Sequence, residues 1–251
     1  LANMVLQVHP ATGDVVQGIN NWPTGFENSS GYFFSNAIGT NNDTLWMLSG
    51  AGMVVRLDTA TTAMKGFDSF PSGYSGQIAA VFISAVATPD GSLYLIPRYA
   101  NMVVRISSPA NKNKACTPRP KTTVECPLVD SPGGGYTNTG TLRTMPPLID
   151  DDENIELSVA SQPIRGFEGG VYANGKLYLA PFETATSVAQ VDLQTGDTKL
   201  FDPVPVDANT NNYRFAGAVL SPDRTNMYLI PFLAHKVVRF SLVTEQYALL
   251  D

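Results

Sequence analysis

The sequence predicts an all-β fold of the propeller type, built from four-stranded antiparallel blades. Three observations carry that expectation. A hairpin-length run recurs along the chain. Turn-forming residues are frequent and charges sparse: the 251 residues include 21 Gly and 18 Pro, with 43% hydrophobic and only 15% charged. No stretch has the periodicity of a three-turn helix, the nearest being 150–160. Such a profile belongs to many short strands rather than to long helices.

The repeat is plainest at 167–182, FEGGVYANGKLYLAPF, and at 215–231, FAGAVLSPDRTNMYLIP. Residues 82–97, FISAVATPDGSLYLIP, are a third copy, and 34–48, FSNAIGTNNDTLWML, a more divergent fourth. In each, an aromatic opens a strand of small residues, a polar turn follows, and a second strand carries Tyr or Trp. That is the signature of a β-hairpin. The markers Trp46, Tyr94, Tyr178 and Tyr228 lie 48, 84 and 50 residues apart. The doubled middle interval holds either a divergent unit or a unit with a long insertion.

A third strand follows each marker, at 53–58, 102–107, 187–192 and 236–241, and residues 4–9 supply a fifth. A fourth strand comes after a Thr-Gly or similar turn, at 195–201 and at 245–250; residues 12–16 hold the N-terminal counterpart. Four antiparallel strands in about 45 residues is the repeat length of a propeller blade. A sandwich would place successive strands in different environments, whereas here one local pattern returns. Gly169, Gly170, Gly217, Ala218 and Ala85 suit inner strands crowded round an axis. The expectation is therefore one domain over 1–251, with about five blades plus an N-terminal half-blade at 1–18.

Two regions break the regularity. Residues 1–18 supply only third and fourth strands, so upstream sequence is missing or another segment completes that blade; alternatively 245–251 is a tail and 1–18 pairs there. The chain starts at Leu1 without an initiator Met or signal peptide, which reads as a processed chain or a piece of a longer one. The second region is 108–165. Residues 122–130 are expected to form the fourth strand of the unit begun at Phe82, entered through a Cys-bearing loop, and 136–165 form a degenerate blade or an insertion.

The run at 167–181, Phe-x-Gly-Gly-Val-x-Ala-x-Gly-Lys-x-Tyr-x-x-Pro, with the Asp-x-x-Thr-Gly turn at 192–196, resembles kelch- and YncE-like β-propeller repeats. No Trp-Asp dipeptide links it to the WD40 type. The resemblance covers most of the chain outside 108–165. It implies a propeller and leaves activity open, because such repeats serve adhesion, scaffolding and catalysis alike.

Charge and composition narrow the function. A formal net charge of -6 without a Lys/Arg cluster disfavours nucleic acid. No apolar run reaches the length of a membrane span. Cys116 and Cys126 bracket a Pro-containing loop and suit a disulfide, with two free thiols as the other reading. The sequons at Asn28 and Asn42 are expected in loops. Together these point to a secreted or cell-surface glycoprotein.

Chemistry-bearing residues are few. The two histidines, His9 and His235, have no nucleophile motif beside them, so a His-based triad is not expected. The acidic run 150–153 is the candidate calcium site, although it lacks EF-hand spacing. By resemblance to propeller lactonases, which hold a divalent ion on the axis, Glu168, Asn36 and Glu183 could serve a metal-dependent hydrolase. The polar position of the third strand (Gln7, Arg56, Arg105, Gln190, Arg239) recurs in every unit and is expected to bond the neighbouring blade's backbone. The binding candidates are the loops between second and third strands, with Arg98, Tyr99, Phe182, Glu183, Phe232 and His235. Glu168 joins them, because the other copies carry Ser35, Ile83 and Ala216 at its position. The leading expectation is a non-catalytic extracellular propeller that binds a protein or glycan, or builds an assembly through its incomplete N-terminal blade. The alternative is the lactonase-like hydrolase.

Overall fold

The structure, a computed structural model, describes residues 4–26, 36–40, 44–48, 53–70, 74, 82–106, 117–119, 123–128, 136–141, 155–157, 164–205 and 214–250. The described residues are all-β, without a helix. β1 (Val5–Val8) and β2 (Val15–Ile19) form a two-stranded antiparallel sheet. β3 (Asn36–Thr40), β4 (Thr44–Leu48), β5 (Val54–Asp58) and β6 (Met64–Phe67) form blade I in simple up-and-down order.

Blade II contains β7 (Phe82–Ala87), β8 (Leu93–Pro97) and β9 (Val104–Ile106), but its fourth strand is not the one expected. β10 (Thr117–Arg119), β11 (Thr123–Leu128) and β12 (Tyr136–Thr141) make a separate three-stranded sheet. The fourth place beside β9 is taken by β13 (Ile155–Leu157), in a register that sets Glu156 opposite Arg105. β11, within the 122–130 stretch expected to fill that place, thus belongs to an excursion between the third and fourth strands of blade II. Cys126 lies on β11 with its backbone opposite Asn138, whereas Cys116, Asn28, Asn42 and the acidic run 150–153 lie outside the described residues.

Blades III and IV follow the repeat closely. Blade III is β14 (Phe167–Ala173), β15 (Lys176–Pro181), β16 (Ser187–Asp192) and β17 (Thr198–Pro203). Blade IV is β18 (Phe215–Leu220), β19 (Asn226–Pro231), β20 (Val237–Ser241) and β21 (Tyr247–Leu250). The inner strands β3, β7, β14 and β18 touch in chain order, so the blades stand side by side round one edge. This is propeller-like architecture.

Each interface has the same composition. Val86, Tyr94, Ile96 and Val103 of blade II pack with Phe167, Leu177, Leu179, Ala189 and Val191 of blade III. Val171, Tyr178, Ala180, Val188 and Phe201 of blade III pack with Phe215, Met227, Leu229, Val238 and Phe240 of blade IV. Both faces of a middle blade are therefore apolar, and β8 is buried along its whole length. The two-stranded sheet lies on blade I, where Val5 and Ile19 meet Met47, Val55 and Leu57.

The repeated turn has a physical cause. Asp58 Oδ1 accepts from the backbone N–H of Ala60 and Thr61, and Asp192 Oδ1 from that of Gln194 and Thr195. The next residue is left-handed in the four copies among the described residues: Gly13 (φ 76°), Thr62 (φ 61°), Gly196 (φ 78°) and Glu245 (φ 58°). Glycine meets that demand without strain; the other two sites do not have it.

At two of the recurring polar positions of the third strand, the side chain has partners inside its own blade. Strand register sets Tyr94 opposite Arg105 and Tyr178 opposite Gln190. Arg105 lies 5.9 Å from the Tyr94 ring centroid and donates to Ser92 Oγ and Asp90 Oδ2. Gln190 Nε2 donates to the Tyr178 hydroxyl at 3.1 Å. Cross-strand opposition puts marker and polar residue on one face, so the nearest partner is local.

Candidate functional site

The inner strand of blade III opens with a bulge, the register shifting between Phe167 and Gly170. The same shift opens blade IV, between Phe215 and Ala218, and blade II, between Phe82 and Ser84. Phe167 stays in the core while the bulge re-aims the residue after it, which in blade III is Glu168. Gly169 makes this possible. Its φ is +76°, and a Cβ there would stand 2.7 Å from the Cα of Gly217 in the next blade.

Backbone bonds then tie three blades together just outside their second strands. Gly166 N–H donates to Arg98 O at 2.8 Å, and Phe182 N–H donates to Gly166 O at 2.8 Å. Arg214 N–H donates to Phe182 O at 3.3 Å, and Phe232 N–H to Arg214 O at 2.8 Å. Gly166 is fixed by sterics: at φ +85°, an added Cβ would sit 2.8 Å from Ala185 N and closer still to Thr184 Oγ1. This relay was not legible in the sequence. Its only sign is that a glycine directly precedes the aromatic that opens blade III.

On that frame the side chains of two loops converge. The Arg98 guanidinium lies 4.7 Å from the Phe182 ring centroid and 5.1 Å from that of Tyr99, a cation–π arrangement on two faces. The Tyr99 hydroxyl donates to Glu183 Oε1 at 3.1 Å, and Glu183 Oε2 is 3.9 Å from Arg98 Nε. Phe182 is buried, and its ring centroid is 6.1 Å from that of Phe232, which is 60% exposed. Of the expected binding residues, the fold gathers Arg98, Tyr99, Phe182, Glu183 and Phe232. His235 is exposed on the loop of Phe232 and makes no hydrogen bond or ion pair among the described residues.

Glu168 belongs to the same cluster electrostatically. Burial pushes its carboxyl above the usual range, and the positive charge of Arg98 partly offsets that. Glu168 Oε2 and Arg98 Nε are both buried, and neither has a hydrogen-bond partner among the described residues. Tyr99 is likewise raised, first by burial and then by its bond to Glu183. Among the described residues no three His, Cys, Asp or Glu side chains group as metal ligands. The arrangement offers one orphan acceptor, one orphan donor and an aromatic surface beside them. It holds no paired nucleophile and base.

No family model and no curated protein matches the chain. Solved structures do match in fold. One is dihydro-heme d1 dehydrogenase NirN in complex with DHE, with a TM-score of 0.56 and 10% identity over 99% of this chain and 41% of that one. A second is a candidate 6-phosphogluconolactonase from Bacteroides uniformis, with a TM-score of 0.52 and 14% identity over 98% and 62%. A third is an auxiliary nutrient binding protein from Bacteroides thetaiotaomicron, with a TM-score of 0.46 and 13% identity over 86% and 42%. The chain spans less than two thirds of the length of each of these three. They include binding proteins and enzymes, and at such identities the first two show the propeller-like fold alone. The kelch- and YncE-like resemblance is thereby supported as architecture and not as family membership.

Proposed function

We propose that the chain is a binding module that takes a protein or glycan ligand at the cluster of Arg98, Tyr99, Glu168, Phe182, Glu183 and Phe232, without covalent chemistry. One observation carries this reading: two oppositely charged side chains each bury a polar atom that has no hydrogen-bond partner among the described residues. Such atoms cost about 1–3 kcal/mol apiece when left unpaired. A ligand hydroxyl or amide supplies both missing halves, donating to the Glu168 carboxylate and accepting from Arg98 Nε–H. Phe232 beside it offers the apolar face that a sugar ring or an aromatic side chain covers. The sequons and the cysteine pair favour an extracellular or cell-surface setting for such binding.

The test is a screen of the protein on glycan and peptide arrays, run beside an Arg98→Ala/Glu168→Ala double variant of unchanged circular dichroism. The expected result is a defined ligand class retained by the protein and lost by the double variant. Equal retention by both, or no retained ligand on either array, overturns the reading.

A further inference from the structure

The backbone relay under the cluster is made twice, with one difference of side chain. Gly166 N–H donates to Arg98 O of blade II, and Gly166 O accepts from Phe182 and Glu183 N–H of blade III. One blade further on, Arg214 N–H donates to Phe182 O of blade III, and Arg214 O accepts from Phe232 and Ala234 N–H of blade IV. The same pattern is thus completed by a glycine at one junction and by an arginine at the next. Gly166 shows that the relay asks only for main-chain atoms at this position. The guanidinium of Arg214 is therefore surplus to the relay.

Arg214 is partly buried, and its side chain makes no hydrogen bond or ion pair among the described residues. Restricting so long a side chain costs rotamer freedom and returns nothing to the fold. Its backbone is bonded to both Phe182 and Phe232, so it is rooted between the two aromatics of the cluster. Arg165, the residue before Gly166, is exposed and likewise makes no such bond among the described residues. With Arg98, three guanidiniums are rooted on the relay against the carboxylates of Glu168 and Glu183. Glu183 is already engaged by the Tyr99 hydroxyl. The result is an excess of one positive charge on a chain whose formal net charge is -6. A local sign opposite to that of the whole chain favours a ligand with a negative group.

Resting on the ligand site proposed above, we propose that its ligand is a carboxylated sugar: Arg214 holds the carboxylate, while Glu168 and Arg98 Nε hold a neighbouring hydroxyl. A single excess charge matches a carboxylate better than a phosphate monoester, which carries about −1.5 to −2. The planar guanidinium fork fits the two carboxylate oxygens side by side. A hydroxyl donates and accepts through one oxygen, which is what an orphan acceptor next to an orphan donor requires. A uronic acid ring carries both groups. An acidic peptide carries the carboxylate, but its amide donor and acceptor sit on different atoms.

The experiment is titration calorimetry of the full chain with an oligogalacturonate, with the same oligosaccharide after reduction of its carboxyls to primary alcohols, and with an oligoglutamate peptide. The variants are Arg214→Gln and the Arg98→Ala/Glu168→Ala pair. Arg214→Gln keeps every backbone bond of the relay, so its circular dichroism and melting temperature should match the unsubstituted chain. The oligogalacturonate should bind, more weakly at high salt, and at least about tenfold more weakly to Arg214→Gln. The reduced oligosaccharide should bind the chain and Arg214→Gln equally, and both more weakly than the acid binds the chain. Equal binding of acidic and reduced forms, or an oligogalacturonate affinity unchanged in Arg214→Gln, overturns the carboxylate assignment; the ligand site itself stands if the Arg98/Glu168 pair variant still loses binding. No oligogalacturonate binding, or oligoglutamate bound as tightly, overturns the sugar acid. Full binding by the pair variant would instead overturn the ligand site on which this inference rests.

Discussion

Gly169→Ala probes the closest approach between two blades. The residue sits at φ +76°, where an alanine costs roughly 1–2 kcal/mol. A second cost is added because the new Cβ would lie 2.7 Å from Gly217 Cα and 3.6 Å from Ala218 N, both backbone atoms of blade IV. Backbone cannot swing aside as a side-chain end can, and forced overpacking of this kind costs about 1–3 kcal/mol. The sum is about 2–5 kcal/mol, or a fall in melting temperature of roughly 10 °C for a domain of this size. Gly175→Ala is the matched control. Its φ is +75°, but nothing lies within 4 Å of the added Cβ, so it should show the backbone cost alone. Thermal unfolding of both variants by calorimetry gives the difference directly. Equal effects at the two positions would refute the claim that blades III and IV meet glycine to glycine at their inner strands.

Three further outcomes follow from the same geometry. Thr62 is β-branched at φ 61°, so Thr62→Gly should raise stability by about 1 kcal/mol in chemical denaturation, a gain absent if the turn differs from its three counterparts. The Tyr247 hydroxyl donates to Asp202 O at 3.0 Å and accepts from Val188 N–H at 3.3 Å, with its own ionisation pushed up to about 12 by burial. Tyr247→Phe removes that bridge from blade IV to blade III and should cost about 1–2 kcal/mol in the same assay; no loss would mean the bridge is not formed. Glu168 has its carboxyl raised in the folded state by burial, so between the unfolded and folded values the native chain holds the extra proton. Stability attributable to this group is therefore highest below the unfolded carboxyl value, about pH 4, and falls as pH rises. Glu168→Gln should leave melting unchanged near that pH and raise it at neutral pH; a neutral-pH loss would place the carboxylate in a satisfied site.

The blades were legible because one pattern of alternating apolar residues, turn and marker aromatic returns along the chain. Any single copy is ambiguous; four in register are not. The fourth strand of blade II escaped detection because Ile155–Leu157 is three residues long and follows an excursion with strands of its own. A segment that short has no periodicity, and only the open edge of β9 selects it. At the site, Arg98, Tyr99, Phe182 and Glu183 could be picked out because aromatic and charged residues follow a strand-ending proline. The coupling of Glu168 to Arg98 could not, because it depends on a bulge and on contacts between different blades. The partners of Arg105 and Gln190 show the converse: repetition in sequence identified a structural role, but only strand register says that the role is filled within one blade.

The central claim is that the marker aromatic of each unit is the wedge between adjacent blades. Tyr178 of blade III and Phe240 of blade IV test it most directly, their ring centroids 6.4 Å apart within one buried cluster. A double-mutant cycle with Tyr178→Leu and Phe240→Leu, read by chemical denaturation, isolates their interaction from the cost of each truncation. A coupling of about 1 kcal/mol is predicted for an aromatic pair in contact. Additivity within about 0.3 kcal/mol would contradict the blade order on which the account rests.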